Sequence, residues 1–182
     1  MSKQIRVTVK EDLFWAYANL AMAHTAVTRQ QSNYDRFNFM IRAKLYKGLL
    51  TGTMNIRTLF DDEKIKLTSG NKCSYCDVTE KLALDHVVPQ KSGGKDERDN
   101  LIYACKTCNS SKGKKDLMEW MIYCHNFLPL MIIRRYLKLA INYCLDHDLM
   151  DLRTSDLDYN EIPFKINLIP HNYPTPDKLK LV

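Results

Sequence analysis

In "CSYCDVTEKLALDHVVPQ", residues 73–90, a CxxC pair is followed by an aspartate and a histidine side by side, Asp85 and His86. A second CxxC pair, Cys105 and Cys108, stands 28 residues beyond the first, in "CKTCN". The two thiolates of a CxxC turn can occupy two vertices of a tetrahedron, and two such turns close a Zn–S4 site. The expected ligands are therefore Cys73, Cys76, Cys105 and Cys108. Four sulfurs leave no position for water, so this Zn²⁺ reads as structural and contributes folding energy. Asp85 and His86 are surplus to it and must serve some other chemistry.

The residues downstream suggest which. Asn100 heads a β-type run, and Asn109 follows Cys108 directly. Closing the zinc site would hold Asn109 near the strand that carries Asp85 and His86. A carboxylate oxygen and an amide oxygen are hard donors, suited to Mg²⁺ or Mn²⁺ with positions left for water and phosphate. An adjacent imidazole, off the metal, suits a general base. Singly, each residue has a commoner role: Asp85 as a turn cap, His86 as a core histidine, Asn100 and Asn109 as turn or cap residues, Lys112 as an exposed lysine. Their joint occurrence inside a zinc-closed frame favours a site.

The order "DHVVP", "NL", "CKTCN", "SSKG" closely resembles the HNH endonuclease family, whose ββα-metal motif reads DH-x-x-P, N-L, C-x-x-C-N-x-x-K-G. The resemblance covers about a quarter of the chain, residues 71–115. It implies His86 as the base that activates water against a phosphodiester, with Asp85 and Asn109 holding one divalent cation. It implies Asn100 as a structural residue that bonds loop backbone and fixes His86, and Lys112 as a phosphate contact. The family's last catalytic letter is His or Asn, and this chain has the Asn form. The implied products are a 5′-phosphate and a 3′-hydroxyl, and the implied partner is DNA, expected to be double-stranded.

Helices must flank and position such a small module. "KEDLFWAYANLAMAHTAVTRQ" (10–30) and "DRFNFMIRAKLYKGLLTG" (35–52) have helical apolar spacing, the second ending at Gly48 or Gly52. A connector through Leu59, Phe60 and Ile65 can hold a short helix. After the short β-type runs "LALDHVV" and "NLIYAC", the spacing predicts a helix in "NSSKGKKDLMEWMIYCHNFL" and, past Pro129, a long one over 130–150. From 151, four prolines punctuate an extended tail expected along the surface. The expected fold is α+β, mainly helical, a small zinc-stapled ββα-metal core flanked by N- and C-terminal helices. Its divisions are a basic helical region 1–70, the nuclease core 71–120, and the C-terminal helix with its tail, 121–182. Cys124 and Cys144, in apolar segments, are expected as helix core, and Trp15 and Trp120 as helix packing.

Positive charge is uneven. Residues 1–50 carry eight Lys/Arg against three Asp/Glu, and residues 72–115 carry nine against six, whereas residues 116–182 carry seven against nine. That distribution favours a polyanionic partner. No apolar run is long enough to span a bilayer and the first residues lack a secretory signal, so an intracellular, cytoplasmic protein of bacterial or phage type is expected. Six cysteines without a signal read as thiols and metal ligands rather than disulfides.

The competing reading is a zinc-stapled nucleic-acid-binding module without catalysis, which leaves Asp85, His86 and Asn109 without a purpose. A zinc deaminase needs an H-x-E and a P-C-x-x-C, and neither is present. Within the nuclease reading, restriction or other defence, homing and phage roles stay open. One site per chain implies a homodimer, or two successive nicks, for double-strand cleavage.

Overall fold

The computed structural model describes residues 6–59 and 71–182. The expected short helix around Phe60 and Ile65 lies outside them. Among the described residues there are five α-helices and one two-stranded antiparallel sheet, an α+β, mainly helical fold. None of these helices is long and apolar enough to cross a membrane.

Helix α1, Val9–Thr28, starts at Thr8, whose side chain accepts from the Glu11 amide while Glu11 bonds back to the cap. Val9 and Lys10 donate instead to the carbonyls of Leu152 and Met150. The helix buries residues on most of its circumference, from Val9 and Leu13 to Ala23 and Ala26, and so lies inside the fold. Helix α2, Arg36–Leu50, is capped by Asp35 and buries only Asn38, Tyr46, Gly48 and Leu49. Gly48 lies within it, and a β-carbon there would meet Met54 Cγ at 2.6 Å. The chain reverses at Gly52, at φ +70°, so Gly52 marks the exit.

The long helix expected from Asn109 is two. Helix α3, Lys106–Lys112, begins inside the second CxxC, and helix α4, Leu117–Tyr123, starts afresh. Gly113 breaks them at φ +53°, and Asp116 with Glu119 forms a new capping box. Cys124 therefore stands exposed just beyond α4 rather than in a helix core, whereas Cys144 is buried as expected.

Helix α5, Leu130–Asp146, follows Pro129 and has no side-chain cap. Its first amides, of Leu130 and Met131, donate to the carbonyls of Lys180 and Leu181, so the tail's end caps the helix. The tail is not confined to the surface. Phe164, Ile166, Ile169 and Leu179 enter the same apolar core as α1, α5 and the segment 73–105. Two buried cations on α5 also tie the parts together. Arg135 donates to the Leu101 carbonyl at 3.1 Å, at the head of the second strand, and Lys138 to the Thr58 carbonyl at 2.8 Å.

Candidate active site

Strand β1, Leu82–His86, pairs antiparallel with β2, Leu101–Cys105, with Asp85 opposite Ile102 and His86 opposite Leu101. The hairpin is held at its open end by the two cysteine turns. Ser74 donates to the Tyr103 carbonyl at 2.8 Å, pinning the first turn to β2, and Cys105 is both the last residue of β2 and the N-cap of α3. All four sulfurs of Cys73, Cys76, Cys105 and Cys108 lie within 4.8 Å of one another, with Cys76 and Cys105 3.7 Å apart. A tetrahedral Zn–S4 site has sulfur–sulfur edges of about 3.8 Å, so the four thiols fit a zinc ion. The Cys108 amide, donating to the Cys105 sulfur, lowers that thiol to about 7, whereas burial pushes the Cys76 and Cys108 thiols up.

Asp85 sits on the buried face of β1 and is nearly enclosed. Its Oδ2 accepts from the Tyr75 hydroxyl at 2.8 Å, and its Oδ1 lies 3.3 Å from the Lys112 ammonium. Lys112 also donates to the His86 carbonyl at 2.6 Å, and its side chain has 0 % exposure. The phosphate contact expected of Lys112 thus gives way to an internal ion pair. In the hairpin–helix interface this ammonium has two oxygens to satisfy and no path to solvent. Burial lowers the Lys112 pKa and the neighbouring Asp85 charge raises it, with burial the larger effect.

Removing one partner of a buried pair leaves the other charge unmatched and costs about 3–5 kcal/mol. Lys112→Met should lose stability on that order in urea unfolding, and the Asp85→Asn, Lys112→Met double variant should lose less than the two singles combined. Equal stability of Lys112→Met and the parent would show the pair to be idle.

His86, the last residue of β1, is about a quarter exposed, and its Nε2 lies 3.0 Å from Asp96 Oδ1. A carboxylate only accepts, so in this pair Nε2 donates, and in the neutral imidazole the lone pair is then on Nδ1. Asp96 was not apparent in the sequence, because it is one of four charged residues in "KDER" and only the fold of the loop selects it. Asp96 is itself largely exposed.

Asn100 closes the loop between the strands. Its Oδ1 accepts from the Val88 amide at 2.8 Å, and its Nδ2 donates to the carbonyls of Val88 and Lys95 at 2.9 Å each. Gly94 packs so close to the Val88 carbonyl and the Asn100 amide that no β-carbon fits. Asn109 is half-buried, three residues before Lys112 and so on the same side of α3. The fold thus joins Asp85 and Lys112 directly, sets His86 against Asp96 at the strand's end, and puts Asn100 in the loop and Asn109 on the packed helix. Tyr75 was also unseen in the sequence, although its position between two of the clustered cysteines was a signal.

Against known proteins, residues 73–115 match the family model described as HNH endonuclease. The match takes in the hairpin, all four clustered cysteines and α3, and covers less than a quarter of the chain. No curated protein and no solved structure matches. The matched module, with its two-stranded sheet, packed helix and zinc-type cysteine cluster, supports a nuclease-family function.

Proposed function

We propose that the protein is a metal-dependent DNA endonuclease that hydrolyses phosphodiester bonds at the Asp85–His86 end of the hairpin. The observation that carries this reading is the match of residues 73–115 to the HNH endonuclease model, laid over a buried carboxylate and an adjacent, partly open imidazole. Asp85 has donor capacity left for a cation. A carboxylate offers about four lone-pair positions, and Tyr75 and Lys112 each claim one oxygen without exhausting it. Asp85 and Asn109 are the residues that would hold Mg²⁺ or Mn²⁺, both hard oxygen donors.

In this account His86 Nδ1 takes a proton from water as the water oxygen bonds to phosphorus, while Asp96 holds Nε2–H. The phosphorus bond to the 3′ oxygen breaks and that oxygen takes a proton from solvent, leaving a 5′-phosphate and a 3′-hydroxyl. A bound cation would supply positive charge to the phosphate and to the departing oxygen. Asn100 keeps the loop, and with it Asp96, at a fixed distance from β1. Lys112 acts through Asp85 and the His86 carbonyl, orienting both.

The DNA substrate is supported by exposed cations. Lys106 opens α3 and Lys114 lies just beyond it, and Arg36, Lys44 and Lys47 lie on the outer side of α2, which carries no acidic residue. For cleavage of both strands, one site per chain calls for a homodimer or two successive nicks.

The end chemistry tests the proposed reaction. Nicks made by the protein should be resealed by DNA ligase without prior kinase or phosphatase treatment. Ends that need a 3′ phosphatase before sealing would contradict departure of the 3′ oxygen.

A further inference from the structure

Tyr75 lies between two of the zinc-type cysteines, yet its side chain serves the other site. Its hydroxyl donates to Asp85 Oδ2 at 2.8 Å, and the residue is 5 % exposed. The ring is fixed independently of that bond. It meets Trp120 edge-on with centroids 4.7 Å apart, and Trp120 donates from Nε1 to Ser111 Oγ on α3 at 3.0 Å. The backbone is fixed as well, through the neighbouring Ser74 amide bonded to the Tyr103 carbonyl of β2. A hydroxyl held this firmly orients the carboxylate it touches. With Lys112 on the opposite oxygen, the Asp85 carboxylate is clamped from two sides, and its remaining lone pairs point in set directions.

We infer that Tyr75 is a positioning residue for Asp85, and that through it the first cysteine turn sets the geometry of the cation-binding carboxylate. The inference rests on the reading of Asp85 as a divalent-cation ligand. It makes the two metal sites mechanically dependent although they share no ligand. Outer residues that orient a metal-binding carboxylate are commonly worth 10- to 100-fold in metal affinity.

Tyr75→Phe removes the hydroxyl and keeps the ring on Trp120. Mn²⁺ titrated into the zinc-loaded protein, followed by calorimetry, should show affinity about 10-fold weaker for Tyr75→Phe than for the parent, with zinc content unchanged. Asp85→Ala should show none of this binding. Parent-like Mn²⁺ affinity in Tyr75→Phe, alongside lost binding in Asp85→Ala, overturns the inference and leaves the cation reading standing. Parent protein that binds no Mn²⁺, or Asp85→Ala that binds like the parent, overturns the cation reading and the inference with it. A second readout needs no variant at Tyr75: Mg²⁺ added to the parent should shift the NMR signal of the Tyr75 ring carbon bearing the hydroxyl. A signal that stays in place at saturating Mg²⁺ overturns the inference even if Tyr75→Phe fails to fold.

Discussion

His86→Ala should cleave DNA roughly 10²- to 10⁴-fold more slowly than the parent, the share that general base catalysis supplies. The expected loss falls on the chemical step, because His86 holds up little of the fold. It is the last residue of β1, partly open to solvent, and its side-chain contact is to an exposed loop carboxylate. Its backbone carbonyl, which receives the Lys112 ammonium, survives the substitution. DNA binding, zinc content and the unfolding midpoint should therefore stay near those of the parent while turnover collapses. Single-turnover kinetics on a nicked-plasmid assay separate these quantities. A His86→Ala protein that cuts at the parent rate would remove the imidazole from the mechanism, whatever the other residues do.

Cys105→Ser should release the metal and unfold the segment from Cys73 to Lys115. Structural zinc binding is worth about 10–16 kcal/mol in small zinc modules, at least as much as the total stability of a typical single domain, about 5–15 kcal/mol. Cys105 has three roles at once, as last residue of β2, N-cap of α3 and member of the four-sulfur cluster. Its loss therefore frees the hairpin and the helix that packs Lys112 onto Asp85. The flanking helices have support of their own, since α1 and α5 bury long apolar faces against each other and against the tail. Metal analysis with hydrogen exchange on the parent and variant would read this directly. Zinc should fall below one per chain, and protection should vanish from β1, β2 and α3 before α1 and α5. A variant that keeps full protection in the hairpin without zinc would show that the cysteine cluster is dispensable.

The parts legible in the sequence were those set by short-range spacing. Two CxxC turns, Asp beside His, and Asn after the last cysteine can be read without knowing what touches what. The helical apolar spacing likewise places α1 and α2 within a residue or two, and places the start of α5, which ends at Asp146, four residues before the expected 150. What was not legible depends on contacts between distant residues. Lys112 is 27 positions from Asp85, and lysine is among the residues least often fully buried, so its pairing inside the fold has no local signal. Tyr75 is ten residues from Asp85, and Asp96 ten from His86; the first cysteine turn, pinned to β2, places the one and the loop between the strands the other. The break between α3 and α4 was present in "KGKKD" but outweighed by the helical spacing around it. The tail's prolines disguised its apolar anchors, and Phe164, Ile166 and Ile169 turn inward between them.

The central claim, that this chain cuts DNA with a divalent cation held by Asp85 and Asn109 and with His86 as base, is tested most directly on supercoiled plasmid. The zinc-loaded protein should convert it to nicked or linear form with Mg²⁺ or Mn²⁺, and should stop when Mg²⁺ is withheld and the plasmid is kept in a zinc-only buffer. Plasmid left fully supercoiled at saturating Mg²⁺ and Mn²⁺ by protein with one zinc per chain, or cut equally well in the zinc-only buffer, would contradict it.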